Sequence, residues 1–107
     1  MAEGSVPEGF DVKPSVRLDE NREAVRAAVE RRRAANPRVF GSVLRGEDRE
    51  DSDLDILVDS LPDTSSFDLG GLQDDLEGML GVRVDVRTPG DLPRKWRDFV
   101  VAEARPV

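Results

Sequence analysis

The run Leu54-Asp55-Ile56-Leu57-Val58 constrains the fold more than any other segment, because it starts inside an acidic pair and then turns almost wholly apolar. A short apolar run bounded by charged sequence predicts a β-strand over 54–58. Alternate side chains on a strand share a face, so Leu54, Ile56 and Val58 point one way while Asp53, Asp55 and Leu57 point the other. The two aspartates then stand on one face, roughly 6.6 Å apart at their Cα atoms. Divalent cations suit such a pair, and a triphosphate suits divalent cations. Separated from Asp53 by ten intervening residues, the chain reads Gly41-Ser42. A small residue followed by a hydroxyl can wrap a phosphate with backbone N–H groups and a side-chain O–H. A phosphate cradle joined to a metal clamp points to nucleotidyl transfer.

A second strand supplies a third carboxylate. Val82-Arg83-Val84-Asp85-Val86-Arg87 alternates strictly, which places the three valines on one face and Asp85 on the other, between two arginines. If this strand neighbours 54–58 with polar faces aligned, Asp85 converges on Asp53 and Asp55. Three converging carboxylates repel one another unless cations fill the space between them. Two magnesium ions about 3.5–4 Å apart would supply that charge, activate an attacking hydroxyl and stabilise a leaving pyrophosphate. An aspartate on an open strand face is ordinarily just solvated, so the weight rests on the joint pattern. Asp51, Asp53 and Asp55 also imitate the start of a calcium-binding EF-hand loop, but the sixth position is Ile56 and the twelfth is Pro62, where that loop needs Gly and Glu.

Composition removes the rival chemistries. The 107 residues contain no cysteine and no histidine, so disulfides, thiolate sites, thiol nucleophiles and imidazole bases are all excluded. The net charge of −7, from 23 acidic and 16 basic residues, argues against extended nucleic-acid binding. No apolar run reaches the roughly 18 residues of a membrane span, and no signal-peptide core opens the chain, so a cytoplasmic location is expected. The length fits one domain with a modest core.

Along the chain, residues 1–14 hold Gly4, Pro7, Gly9 and Pro14 without periodicity and are expected to form a flexible tail, with 15–107 as the domain. Helical spacing over 15–35 gives an apolar face of Val25, Ala28 and Val29, ended by Pro37, with Asn36 biased to extended geometry. A short strand at 38–40 follows, then a charged turn or loop over 43–51. Helical spacing returns over 67–80 with Gly81 as its stop. A last helix over 92–104 is expected to pack through Trp96, Phe99 and Val100. The order helix, strand, strand, helix, strand, helix predicts an α+β domain: a small mixed β-sheet with helices packed on one side.

Gly41-Ser42 with Asp53-Leu54-Asp55 resembles the signature of the DNA polymerase β-like nucleotidyltransferase superfamily. The stretch 40–59, with Arg45-Gly46 and Ser52, is similar to its minimal nucleotidyltransferase branch, the MntA-type antitoxins paired with HEPN toxins. The resemblance covers roughly residues 22–107. It implies that Asp53 and Asp55 hold both magnesium ions and that Asp85 completes the catalytic metal site. It implies too that Gly41 and Ser42 bind the β- and γ-phosphates of ATP, with Arg45 steadying a phosphate. Many relatives carry arginine directly after Gly-Ser, where this chain has Val43. Members of the branch transfer AMP from ATP to a tyrosine hydroxyl of a partner HEPN toxin and so silence it. The short length agrees with a partner protein as acceptor. The alternatives are an antitoxin that neutralises by binding alone, and nucleotidyl transfer to a small molecule.

Overall fold

The structure, a computed structural model, describes residues 12–107. Most of the expected N-terminal tail, including Phe10, lies outside the described residues; from Pro14, which is buried, the chain is already helical. The expected single helix over 15–35 is two. Helix α1 (Pro14–Glu20) ends at Asn21, whose side-chain amide donates to the Arg17 carbonyl at 2.8 Å, and α2 (Arg22–Arg31) follows at once. Asparagine competes for backbone partners in this way, which is why it interrupts a pattern that apolar spacing alone reads as continuous. The expected face of α2, Val25, Ala28 and Val29, is the buried one.

Strand β1 (Ala34–Phe40) is longer than the expected 38–40 and carries an irregularity between Ala35 and Arg38. Pro37 sits inside this bulge, one of the few places in a sheet that tolerates a missing N–H. Asn36 is not extended as its place before a proline predicts; its φ is +54°. Its amide donates to Asp59 at 3.1 Å and its carbonyl accepts from Arg38 Nε at 3.0 Å, contacts that hold a conformation asparagine adopts more readily than most residues.

Strand β2 (Leu54–Ser60) pairs antiparallel with β1 and parallel with β3 (Val84–Arg87), and a two-residue β4 (Arg105–Pro106) pairs antiparallel with β1. The sheet order is β3-β2-β1-β4. Between β2 and β3 runs α3 (Ser66–Leu80), opened by a reciprocal Ser65–Asp68 capping box and closed by Gly81 at φ +70°. Leu72, Leu76 and Leu80 of α3, with Val25, Ala28 and Val29 of α2 and Leu18 of α1, bury Leu54, Ile56, Val58, Val39 and Val84. This is the small mixed sheet of an α+β domain. Leu57 is fully buried on the opposite face, where the 3-10 turn Pro89–Asp91 comes against β2.

Helix α4 (Arg94–Glu103) departs from expectation, because it buries no residue completely. Its inner side is made by Arg97, Val100 and Val101, while Trp96 is 53% and Phe99 59% exposed. No helix among the described residues is long and apolar enough to cross a membrane.

Candidate active site

The acidic face is assembled by strand register. In the parallel pair β2–β3, Leu54 lies opposite Val84 and Asp55 opposite Asp85. Residues opposite each other share a face, so the apolar partners turn into the core and the two aspartates stand together on the other side. Asp53 precedes β2 by one residue and falls on the Asp55 side by alternation. The backbone thus brings together the three positions that the sequence marks.

Their side chains have different partners. Asp53 ion-pairs with Arg83 at 3.0 Å, and Asp85 with Arg87 at 2.9 Å. Arg83 also donates to the Asp51 carbonyl at 3.1 Å, which ties the segment before β2 to the one before β3. Asp55 has no ion-pair partner among the described residues, and its carboxyl is pushed up to about 6 by burial, then by the charges of Asp85 and Asp53, against the pull of Arg87 and Arg45. Among the described residues no three carboxylates close on one point as a metal cluster, since two of the three are turned to arginine. The donor set nonetheless fits a hard divalent cation: three carboxylates and no softer ligand, with surplus negative charge concentrated on Asp55.

The turn over 41–46 stands directly against this charge. Gly41 has φ +77°, and a Cβ on it would collide with Asp55 Oδ2. Only glycine permits both the backbone conformation and the approach. The turn is closed by N–H donation from Arg45 to the Gly41 carbonyl at 3.2 Å, from Gly46 to that of Val43 at 3.2 Å, and from Glu47 to that of Ser42 at 2.9 Å. Ser42 is therefore held beside Asp55 by its neighbour. Arg45 pairs with Glu47 at 3.0 Å and is half exposed, close enough for its charge to be felt at Asp55. Val43, the position at which the resemblance leads one to expect arginine, is 9% exposed and belongs to the hydrophobic core. Its side chain anchors the turn from below instead of contributing charge to the site.

Three supporting residues escaped sequence reading. Asp48 is buried, 5% exposed, and accepts the Ser15 backbone N–H at 2.9 Å, tying the loop after the 41–46 turn to the start of α1. Glu77 and Gln73 of α3 accept the backbone N–H groups of Val84 and Val86 at 3.0 and 3.1 Å. They cap the outer edge of β3 on both sides of Asp85 and so fix the strand that carries it. Their i, i+4 spacing beside Leu72 and Leu76 was the available signal.

A glycine-backed turn after β1, set against paired acidic positions on β2 and β3, is the arrangement of an α+β domain of the nucleotide-transferring class. The nucleotidyltransferase domain family matches residues 20–107, and the chain belongs to that family. A solved structure described as a minimal nucleotidyltransferase superposes with a TM-score of 0.77 at 47% identity, over 84% of this chain and 92% of that one. The protein adenylyltransferase MntA of Thermococcus cleftensis is 52% identical over 48 residues, which span 45% of this chain and about half, 48%, of that relative. A crystal structure of a toxin–antitoxin with AMP-PNP shares the fold, with a TM-score of 0.68 at 19% identity over 80% of this chain and 71% of that chain.

Proposed function

We propose that this chain is the antitoxin of a toxin–antitoxin pair and acts as a magnesium-dependent protein adenylyltransferase. It transfers AMP from ATP to a tyrosine hydroxyl of a HEPN-fold toxin. The observation that carries this reading is the register that sets Asp55 beside Asp85, with Gly41-Ser42 packed against Asp55. The likeness to a protein adenylyltransferase and to an antitoxin-containing complex supports the choice of a protein acceptor.

In this reading Asp53, Asp55 and Asp85 hold the magnesium ions, and Asp53 and Asp85 give up their arginine partners to do so. Bound magnesium supplies Lewis-acid polarisation of the phosphate oxygens and lowers the pKa of an oxygen it ligates. The Ser42 hydroxyl and the backbone N–H groups of the 41–46 turn bind the β- and γ-phosphates, and Arg45 steadies their charge. Asp85 lies on the far side of the acidic face from the phosphate turn and orients the incoming hydroxyl. The acceptor O–H gives its proton to the Asp85 carboxylate, its oxygen bonds to the α-phosphorus, and the bond from the α-phosphorus to the bridging β-phosphate oxygen breaks to release pyrophosphate.

The test is incubation with labelled ATP, magnesium and a HEPN-fold toxin from the same genome. Label is expected on the toxin, and Asp53→Asn is expected to abolish it without unfolding the domain, because Asp53 is about half exposed. Absence of label with the wild type, under conditions where the two proteins bind, would refute the enzymatic reading and leave neutralisation by binding.

A further inference from the structure

We propose that the outward ridge of α4 formed by Trp96 and Phe99 is where the protein receiving the nucleotide docks, and that this partner presents an apolar patch edged with acidic side chains. The proposal rests on the transfer reading above for the identity of the partner.

Trp96 and Phe99 stand three residues apart and are the two large apolar side chains of α4 left more than half exposed. The helix has an inner side already, made by Arg97, Val100 and Val101, so the aromatic ridge is not a core face displaced by fraying. Arg97 secures that orientation by donating to the Leu92 carbonyl at 3.1 Å. Two neighbouring aromatics kept in water are costly unless something covers them.

Charge narrows the occupant. Arg94 and Lys95 are exposed at the start of α4, and the Lys95 ammonium lies 5.4 Å from the Trp96 ring centroid. In a chain of net charge −7 this is a local basic edge at the Trp96 end of the ridge, with Asp98 the one exposed acid between the two aromatics, and it is complementary to acidic side chains on the partner. A second copy fits poorly, because a two-fold contact centred on Trp96 would set these cations against their own copies.

Position narrows it further. Ala102 and Glu103, continuing along the helix from Phe99, line a cleft of about 490 Å³ whose other wall is Leu44 and Arg45 of the phosphate turn. From Trp96 to Ala102 is roughly 9 Å along a helix axis. A partner seated on the ridge therefore has its surface next to the cleft that opens on the phosphate turn.

The full chain carrying Trp96→Ala with Phe99→Ala, and separately Arg94→Glu with Lys95→Glu, is compared with wild type for binding to the same purified HEPN-fold toxin. Isothermal titration is carried out on an Asp53→Asn background, so that docking is read without turnover. The expected result is at least tenfold weaker binding for each pair of changes. Affinity for AMP-PNP and the melting temperature should stay at the values of the Asp53→Asn parent, and Trp96→Phe should retain most of the binding. Binding within twofold of wild type in both double variants overturns the proposal, as does no binding by the Asp53→Asn parent. So does sedimentation showing a wild-type dimer that the aromatic changes dissociate. Loss of label transfer with docking intact would instead refute the transfer reading and leave this surface standing.

Discussion

Asp55→Asn should make the domain more stable and the enzyme inactive. The Asp55 carboxyl titrates at about 6 in the folded chain against a reference of 3.8, because burial and the charges of Asp85 and Asp53 disfavour its ionised form. The folded state thus holds this proton more tightly than the unfolded chain does. The resulting stabilisation is fully present below the unfolded value, is lost as pH rises through the interval from 3.8 to about 6, and is absent above it. A shift of this size corresponds to about 3 kcal/mol, and solvent screening at a partly open position reduces it to about 1–2 kcal/mol. Asparagine has the same shape and no charge, so at pH 8 the variant should exceed wild type by about 1–2 kcal/mol, or roughly 5–10 °C in melting temperature. Near pH 4 the two should converge. Groups that titrate alike in both proteins cancel, among them Asp75, which its hydrogen bond with Arg32 holds below the ordinary carboxylate range. Urea denaturation from pH 4 to 8 in the presence of EDTA measures the gap, and label transfer from ATP should fall by about 100-fold or more. A variant less stable than wild type at pH 8, or a gap equal at pH 4 and pH 8, would show that Asp55 is not an uncompensated charge.

Two further substitutions separate site from scaffold. Gly41→Ala places a methyl group on Asp55 and forces φ +77° on an L-residue, so it should cost about 1–2 kcal/mol in chemical denaturation and also lower label transfer. Leu76→Ala, at a fully buried position between α3 and the sheet, should cost about 2–5 kcal/mol, read as a lower urea midpoint, while nucleotide affinity in the folded fraction stays unchanged.

The parts of the fold legible in the sequence are those where one local rule decides. Gly81 after a helical run gives the left-handed stop of α3, and the alternation at 82–87 puts Val84 inward and Asp85 outward. The pairing of Asp55 with Asp85 was legible only as a condition, since alternation fixes faces but not which strands are neighbours. Where two local rules compete, the reading failed. Apolar spacing carried one helix through Asn21, where the amide takes the Arg17 carbonyl, and the bias of residues before proline lost to the Asn36–Asp59 and Arg38–Asn36 contacts across the β1 bulge.

The supports of the site were hidden for a different reason. Asp48, Gln73 and Glu77 act on backbone N–H groups distant in sequence or on another element, and nothing in their own neighbourhood announces an unpaired donor. Their placement explains how a domain this small keeps three like charges in register. Repulsion among Asp53, Asp55 and Asp85 tends to push β3 off β2, yet β3 has a neighbouring strand on one side only. Gln73 and Glu77 supply the second side, bonding Val86 and Val84 from α3, whose Leu72, Leu76 and Leu80 are locked in the core. Helix α3 therefore transmits core packing to the acidic face, and Arg83 and Arg87 on either side of Asp85 offset part of the remaining charge. Of the three, Asp55 alone is left without an ion-pair partner among the described residues, and it stands against the glycine of the 41–46 turn.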